Sequence, residues 1–237
     1  MALTKVGKEG ITGISNSSDA TAITIDSSEL VGIGTASPTS ALHVYGGAGT
    51  NIAIQSSAGP HWRIGDGVGS TNGNLVIYDY SDSRKVFEID TLGHVTMPSQ
   101  PAFLVQPSSD QDDISVNATT TLAFGTEIFD QNGDFASNTF TAPVTGKYQF
   151  NLFSFIDDLN HGYSIFQVRL VTSNRTLTWR IDPRFGDANP DSFPITFSAL
   201  VDMDASDTAY IQMVIPNYSS AQVDFNAASS FSGYLVC

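Results

Sequence analysis

The sequence predicts an all-β protein, and three observations carry that prediction. Of the 24 acidic residues, 20 are Asp and only four are Glu. Glu favours helices, whereas Asp competes with helical hydrogen bonds and suits turns and caps. Apolar residues recur at every second position in Phe166-Gln167-Val168-Arg169-Leu170 and at Ile211, Met213 and Ile215, which is the period of a strand. No segment of ten or more residues carries a convincing 3.6-residue period. Many short strands separated by regular turns mean a sandwich or a jelly roll.

The elements divide the chain into three parts. Residues 1–44 hold short alternating stretches such as Thr21-Ala22-Ile23-Thr24-Ile25 among Gly and Ser. There is too little apolar surface here for an independent core, so the segment is expected to be an extended arm that orders against a partner. Residues 45–97 predict a meander of four or five strands at Asn51–Gln55, Trp62–Ile64, Leu75–Tyr78 and Lys85–Ile89, separated by Gly, Asn, Asp and Ser. Some fifty residues are few for a free-standing sheet, which points to oligomerisation. Composition then changes: 14 of the 20 glycines precede residue 94, and 14 of the 15 phenylalanines follow residue 100. Met97-Pro98-Ser99-Gln100-Pro101 reads as an extended linker, because each Pro biases its predecessor away from helix.

Residues 98–237 can build an aromatic core. Strands are predicted at Ala102–Gln106, Thr121–Phe124, Thr139–Thr141, Lys147–Phe155, Ser164–Thr172, Leu177–Ile181, Phe193–Asp202, Ala209–Ile215, Gln222–Asn226 and Phe231–Val236. In Tyr148-Gln149-Phe150-Asn151-Leu152-Phe153-Ser154-Phe155, Phe153 and Phe155 fall on the otherwise polar face. A strand apolar on both faces is buried on both, so its second face is expected to meet a neighbouring subunit or a covering loop. By alternation Cys237 shares a face with Phe231, Gly233 and Leu235, which predicts its burial as a small apolar residue.

Charge and motifs exclude several functions. The net charge is −14, against a nucleic-acid binder, which needs a basic stripe. No apolar run approaches the roughly 20 residues of a membrane helix. The start, Met1 to Gly10, has two lysines with no apolar core behind them, so no signal peptide is expected. One cysteine excludes a disulfide framework within the chain. His43, His61, His94 and His161 show no metal-ligand spacing, and the serines include no Gly-x-Ser-x-Gly elbow. Gly32-Ile33-Gly34 and Gly65-Asp66-Gly67-Val68-Gly69 open no helix and read as turns. No enzyme and no cofactor are expected. Calcium is the one ion the Asp clusters could serve, at Asp110–Asp113, Asp157-Asp158, Asp187 with Asp191, or Asp202–Asp207. Solvated turns are the plainer reading of all four.

Two family resemblances add to this. Glu127-Ile128-Phe129-Asp130-Gln131-Asn132-Gly133-Asp134-Phe135, then Thr139-Phe140-Thr141-Ala142-Pro143-Val144-Thr145-Gly146-Lys147-Tyr148-Gln149-Phe150, resemble the globular head of complement's first component. Val201 to Ile211 is similar to the penultimate hairpin of that head, and Ser230 to Val236 to its closing strand. The resemblance implies a ten-stranded jelly roll, shared with the tumour necrosis factor superfamily, assembled as a homotrimer. Phe153, Phe155 and Tyr234 are then the candidate trimer-interface residues. Further upstream, Val31-Gly32-Ile33-Gly34-Thr35-Ala36-Ser37-Pro38 with Leu42-His43-Val44 resembles a signature of bacteriophage tail-fibre and spike proteins. Ile89-Asp90-Thr91-Leu92-Gly93-His94-Val95 is similar to a strand-turn-strand of such proteins.

Together these readings predict a structural protein of a bacteriophage virion: a homotrimeric short fibre, spike or capsid-decorating knob. Residues 1–44 would anchor it to capsid or tail proteins, 45–97 would form a small β stalk, and the 98–237 head would contact a host receptor or glycan. Asp157, Asp158, His161, Tyr163, Arg184, Asp187 and Asp191 are the candidate contacts. Nucleic-acid binding and membrane insertion are not expected. A non-viral ligand-binding module of the complement-head type is the alternative.

Overall fold

The computed structural model describes residues 23–69, 73–159, 162, 165–185, 191–216 and 222–237. They fall into two compact units that part between Met97 and Pro98.

In the first unit, β1 (Ile23–Ile25), β2 (Val31–Ile33) and β3 (Leu42–Val44) form a three-stranded sheet, β2–β3 being parallel. The described part of the expected arm is therefore locally folded. Asp26 is the reason, because its Oδ1 accepts from Ser28 N at 2.8 Å and Leu30 N at 3.0 Å and closes the β1–β2 turn. Strands β4 (Asn51–Gln55), β5 (His61–Asp66), β6 (Leu75–Asp79), β7 (Arg84–Ile89) and β8 (Val95–Thr96) make an antiparallel meander. Besides Pro38, Val68 and Val76 are the buried apolar side chains of this unit among the described residues. Ile52, Ile54, Ile64 and Leu75 stay exposed on one face of the meander.

The second unit is a two-sheet sandwich of 13 strands among the described residues. They are β9 (Ala102–Gln106), β10 (Gln111–Ser115), β11 (Thr119–Thr121), β12 (Thr126–Asp130), β13 (Phe135–Ala136), β14 (Thr139–Thr141), β15 (Gly146–Asp157), β16 (Phe166–Thr172), β17 (Thr176–Ile181), β18 (Ser192–Met203), β19 (Thr208–Val214), β20 (Gln222–Phe225) and β21 (Ser230–Leu235). In the first sheet, β15 pairs along its whole length with β18. Its other edge meets β21 and then β20, and β9 and β12 continue beyond β21. The second sheet runs β13-β14-β19-β16-β17, with β11 also on β19.

Three expectations change. The jelly roll has more strands than ten, because short ladders such as β10 and β13 lack the apolar alternation by which a strand is recognised. The strand expected at Thr121–Phe124 is β11, Thr119–Thr121, while Leu122 and Phe124 turn into the core. Cys237 is exposed, since β21 ends at Leu235 and alternation lapses with it.

The core lies between the two sheets and is aromatic. Phe103 has its ring centroid 5.0 Å from Phe135, 5.1 Å from Phe140, 5.2 Å from Phe231 and 6.2 Å from Phe150. Gly233 makes room for this cluster: a Cβ there would sit 2.6 Å from Phe150 and 2.7 Å from Phe103. Trp179 stacks on Phe197 with centroids 3.8 Å apart, joining the two sheets.

Candidate functional site

The two sheets of the head turn chemically different faces to the outside. On the β15 sheet, alternation sends Tyr148, Phe150, Leu152 and Ile156 inward and leaves Gln149, Asn151, Phe153 and Phe155 outward. Cross-strand register assembles the outward residues into rows. Tyr234, Gln149 and Leu200 form one row, and Ser230, Phe153 and Thr196 another. Phe129, Leu104, Ser232, Asn151 and Ser198 form a third. Phe153 is 42% exposed, Tyr234 48%, Phe129 49% and Leu200 56%. Phe153 and Phe155 meet edge to face, centroids 5.0 Å apart. Gln149 Nε2 donates to Ser198 Oγ at 2.7 Å, tying β15 to β18 across the face. An uncovered sheet face bearing four large apolar side chains is the signature of an association surface.

The three interface candidates from the sequence therefore stand on one face. Leu200 and Phe129 belong to it as well and escaped the sequence reading. Leu200 carried the same signal as Phe153, an apolar residue in the polar register of Thr196, Ser198 and Asp202.

The receptor-contact candidates are less uniform. Asp157 is half-buried at the end of β15, its Oδ2 accepting from Asn226 Nδ2 at 2.6 Å. Asp158 and Asp191 are exposed. Arg184 lies on a 3-10 turn (Pro183–Phe185) and forks onto Asp182, with Nε to Oδ1 at 2.7 Å and Nη2 to Oδ2 at 2.5 Å. That guanidinium lowers the Asp182 carboxyl to about 2. His161, Tyr163 and Asp187 lie outside the described residues.

The Asp clusters act as turn caps. Asp130 accepts from Asp134 N at 3.1 Å and from Phe135 N at 2.8 Å, and Gly133 takes a φ of 73° in the turn between them. Asp110 accepts from Ala227 N and Asp224 from Asp113 N. No group of three or more His, Cys, Asp or Glu among the described residues is placed to hold a metal ion.

Asp134 departs from this economy. Burial, then the neighbouring Asp130 charge, raises its pKa, and its Oδ2 is buried with no hydrogen-bond partner. Because the carboxyl holds its proton more tightly folded than unfolded, stability rises as pH falls through the raised pKa. The gain ends once the unfolded chain is protonated too. Asp134→Asn should raise the melting temperature at pH 7 by about 1–2 °C and flatten its dependence on acid, read by calorimetry. An unchanged melting temperature would exclude a penalty on the buried Asp134 charge.

Comparison with known proteins identifies the same half of the chain. The C1q domain family matches residues 102–236. Among solved structures, the globular domain of zebrafish complement 1qA protein is 18% identical, over 59% of this chain and 98% of that one, with a TM-score of 0.45. The crystal structure of murine APRIL at pH 8.5 is 8% identical, over 58% of this chain and 100% of that one, with a TM-score of 0.41. No curated protein matches the chain.

Proposed function

The chain belongs to the C1q domain family, and from that premise we propose that it is a non-enzymatic, homotrimeric binding head carried on the surface of a bacteriophage particle. Domains of this family usually form homotrimers and bind ligands or receptors. The observation that carries the assembly is the outward face of the β15 sheet. Phe129, Phe153, Leu200 and Tyr234 are exposed there, and burying them against two further copies removes that apolar area from water.

The first unit favours a role on a particle. With only Pro38, Val68 and Val76 as buried apolar side chains among the described residues, it has too small a core to stand alone. As a stalk, residues 45–97 would close the exposed Ile52, Ile54, Ile64 and Leu75 against the other copies. The tail-fibre-like residues Val31–Ile33 and Leu42–Val44 form β2 and β3, and residues 1–44 would attach to capsid or tail proteins. The protein would then reside in the virion, with its head toward a host receptor or glycan.

Gold-labelled antibody against the head tests the location. The expected result is labelling of purified virus particles. Bare particles, with label on cell envelopes or in the medium, would favour the non-viral complement-like module. The family match favours that second reading equally, because it covers only the head.

A further inference from the structure

We propose that Arg169 and Arg180 form a binding site for the anionic groups of an acidic polysaccharide, on the outward face of the β16–β17 sheet. The inference rests on the reading of the head as a ligand-binding module and gives that module a ligand class.

The starting point is where the head's few cations stand. Residues 98–237 hold five basic and 15 acidic groups, so a cation in this unit has carboxylates in excess to choose from. Two of the five have one: Arg175 pairs with Asp202, and Arg184 forks onto Asp182. Lys147 stands cross-strand from the same Asp202 in the β15–β18 ladder. Arg169 and Arg180 have no carboxylate partner among the described residues, and these two are neighbours. Gln167 lies directly opposite Arg180, and Thr178 opposite Arg169, which makes the arginines a diagonal cross-strand pair.

A neutral group fixes one of them. Gln167 is only 6% exposed, and its Oε1 accepts from Arg169 Nε at 3.2 Å and from Nη2 at 2.7 Å. The Arg169 fork is thus oriented without its charge being neutralised. Two like charges on adjacent strands repel, and the sheet supplies nothing to relieve them. Strands β11, β13, β14, β16, β17 and β19 contain no Asp or Glu at all. In the opposing sheet, β10, β12, β15, β18 and β20 carry seven. Six strands free of Asp and Glu, carrying two guanidiniums with no carboxylate partner among the described residues, on a unit of net charge −10, are complementary to an external anion. Guanidinium forks match carboxylate and sulfate oxygens.

The surroundings select a sugar chain over a protein. None of the large exposed apolar side chains lies on a strand of this sheet, whereas protein interfaces are anchored by aromatic and apolar groups at their centre. Thr176 and Thr178 on β17, Gln212 on β19 and Thr121 on β11 surround the arginines with hydroxyl and amide groups. A cleft of about 370 Å³ opens beside Arg180, lined also by Ile165, Ile181, Asp182 and Arg184, and gives the edge of the sheet a concave wall.

Beads carrying dextran sulfate, unmodified dextran or polyglutamate test this with the full-length protein. At a net charge of −14 the molecule as a whole is repelled by both polyanions, so retention reports a local site. The expected result is retention on dextran sulfate at low ionic strength, release as salt screens the contact, and passage through the other two. Arg180→Gln, at an exposed position, should weaken retention at least about tenfold, and Arg169→Gln similarly. Arg175→Gln, whose charge Asp202 already meets, should be retained like the parent. Free passage of the parent, or undiminished retention of Arg180→Gln, would overturn the site. Tighter retention on polyglutamate would replace the polysaccharide with an acidic protein. A chain that sediments as a monomer and still binds dextran sulfate counts against the assembly alone, so the two readings fail separately.

Discussion

Replacing Phe153 with aspartate should leave a folded head that no longer assembles. Phe153 points away from the core, with Ser230 and Thr196 on either side and Phe155 edge-on at 5.0 Å, so its loss costs the sandwich little. In a trimer closed through this face, three carboxylates would be drawn into apolar surroundings together. Burying one unpaired charge costs several kcal/mol, and each 1.4 kcal/mol is tenfold in association. The equilibrium should therefore shift toward monomer by at least about 10³-fold. Sedimentation equilibrium reads the change from three chain masses to one, and circular dichroism verifies the strands. Leu200→Asp, across Gln149 from Tyr234, should act the same way. A parent protein that sediments as a single chain would remove the trimer from the account, and so would a Phe153→Asp variant that stays assembled.

Phe103→Ala should produce the largest loss of stability in the molecule. This ring is 1% exposed and touches Phe135, Phe140, Phe150 and Phe231, which come from β13, β14, β15 and β21. Truncating a buried phenylalanine costs about 3–5 kcal/mol, because the cavity adds to the lost transfer free energy. For a unit of this size the melting temperature should fall by roughly 10 °C or more. Differential scanning calorimetry would show it. A loss below about 1 kcal/mol would mean that the aromatic cluster collapses onto the gap, and that the rings do not jointly hold the two sheets.

Much of the fold is written in local alternation and little of the binding chemistry is. Strands β4, β9 and β14 coincide with the stretches read from sequence, because apolar period and turn residues act within a few positions. Strand β10, Gln111-Asp112-Asp113-Ile114-Ser115, was missed since Asp is depleted in strands. Its ladder also shifts register between Gln111 and Ile114. Strand β12 places Ile128 and Phe129 side by side across another shift, and a bulge erases the period-two signal. The outward face of the β15 sheet was half legible: Phe153 and Phe155 betrayed it by breaking alternation. The arginine pair was not legible at all. Arg169 and Arg180 are eleven positions apart in the chain, and their isolation from carboxylates depends on which six strands share a sheet.

Strand β9 has a mechanical consequence for a head held by its N-terminal side. It follows directly on the linker and is hydrogen-bonded on both edges, to β21 through Ala102–Val105 and to β12 through Phe103–Gln106. A tug along the strand therefore loads both ladders in shear, so their hydrogen bonds share the force and must yield together. An edge strand pulled sideways would peel open one bond at a time. A tethered head dragged by flow thus meets its load on a doubly clamped strand, with the Phe103 ring wedged into the core as a cleat.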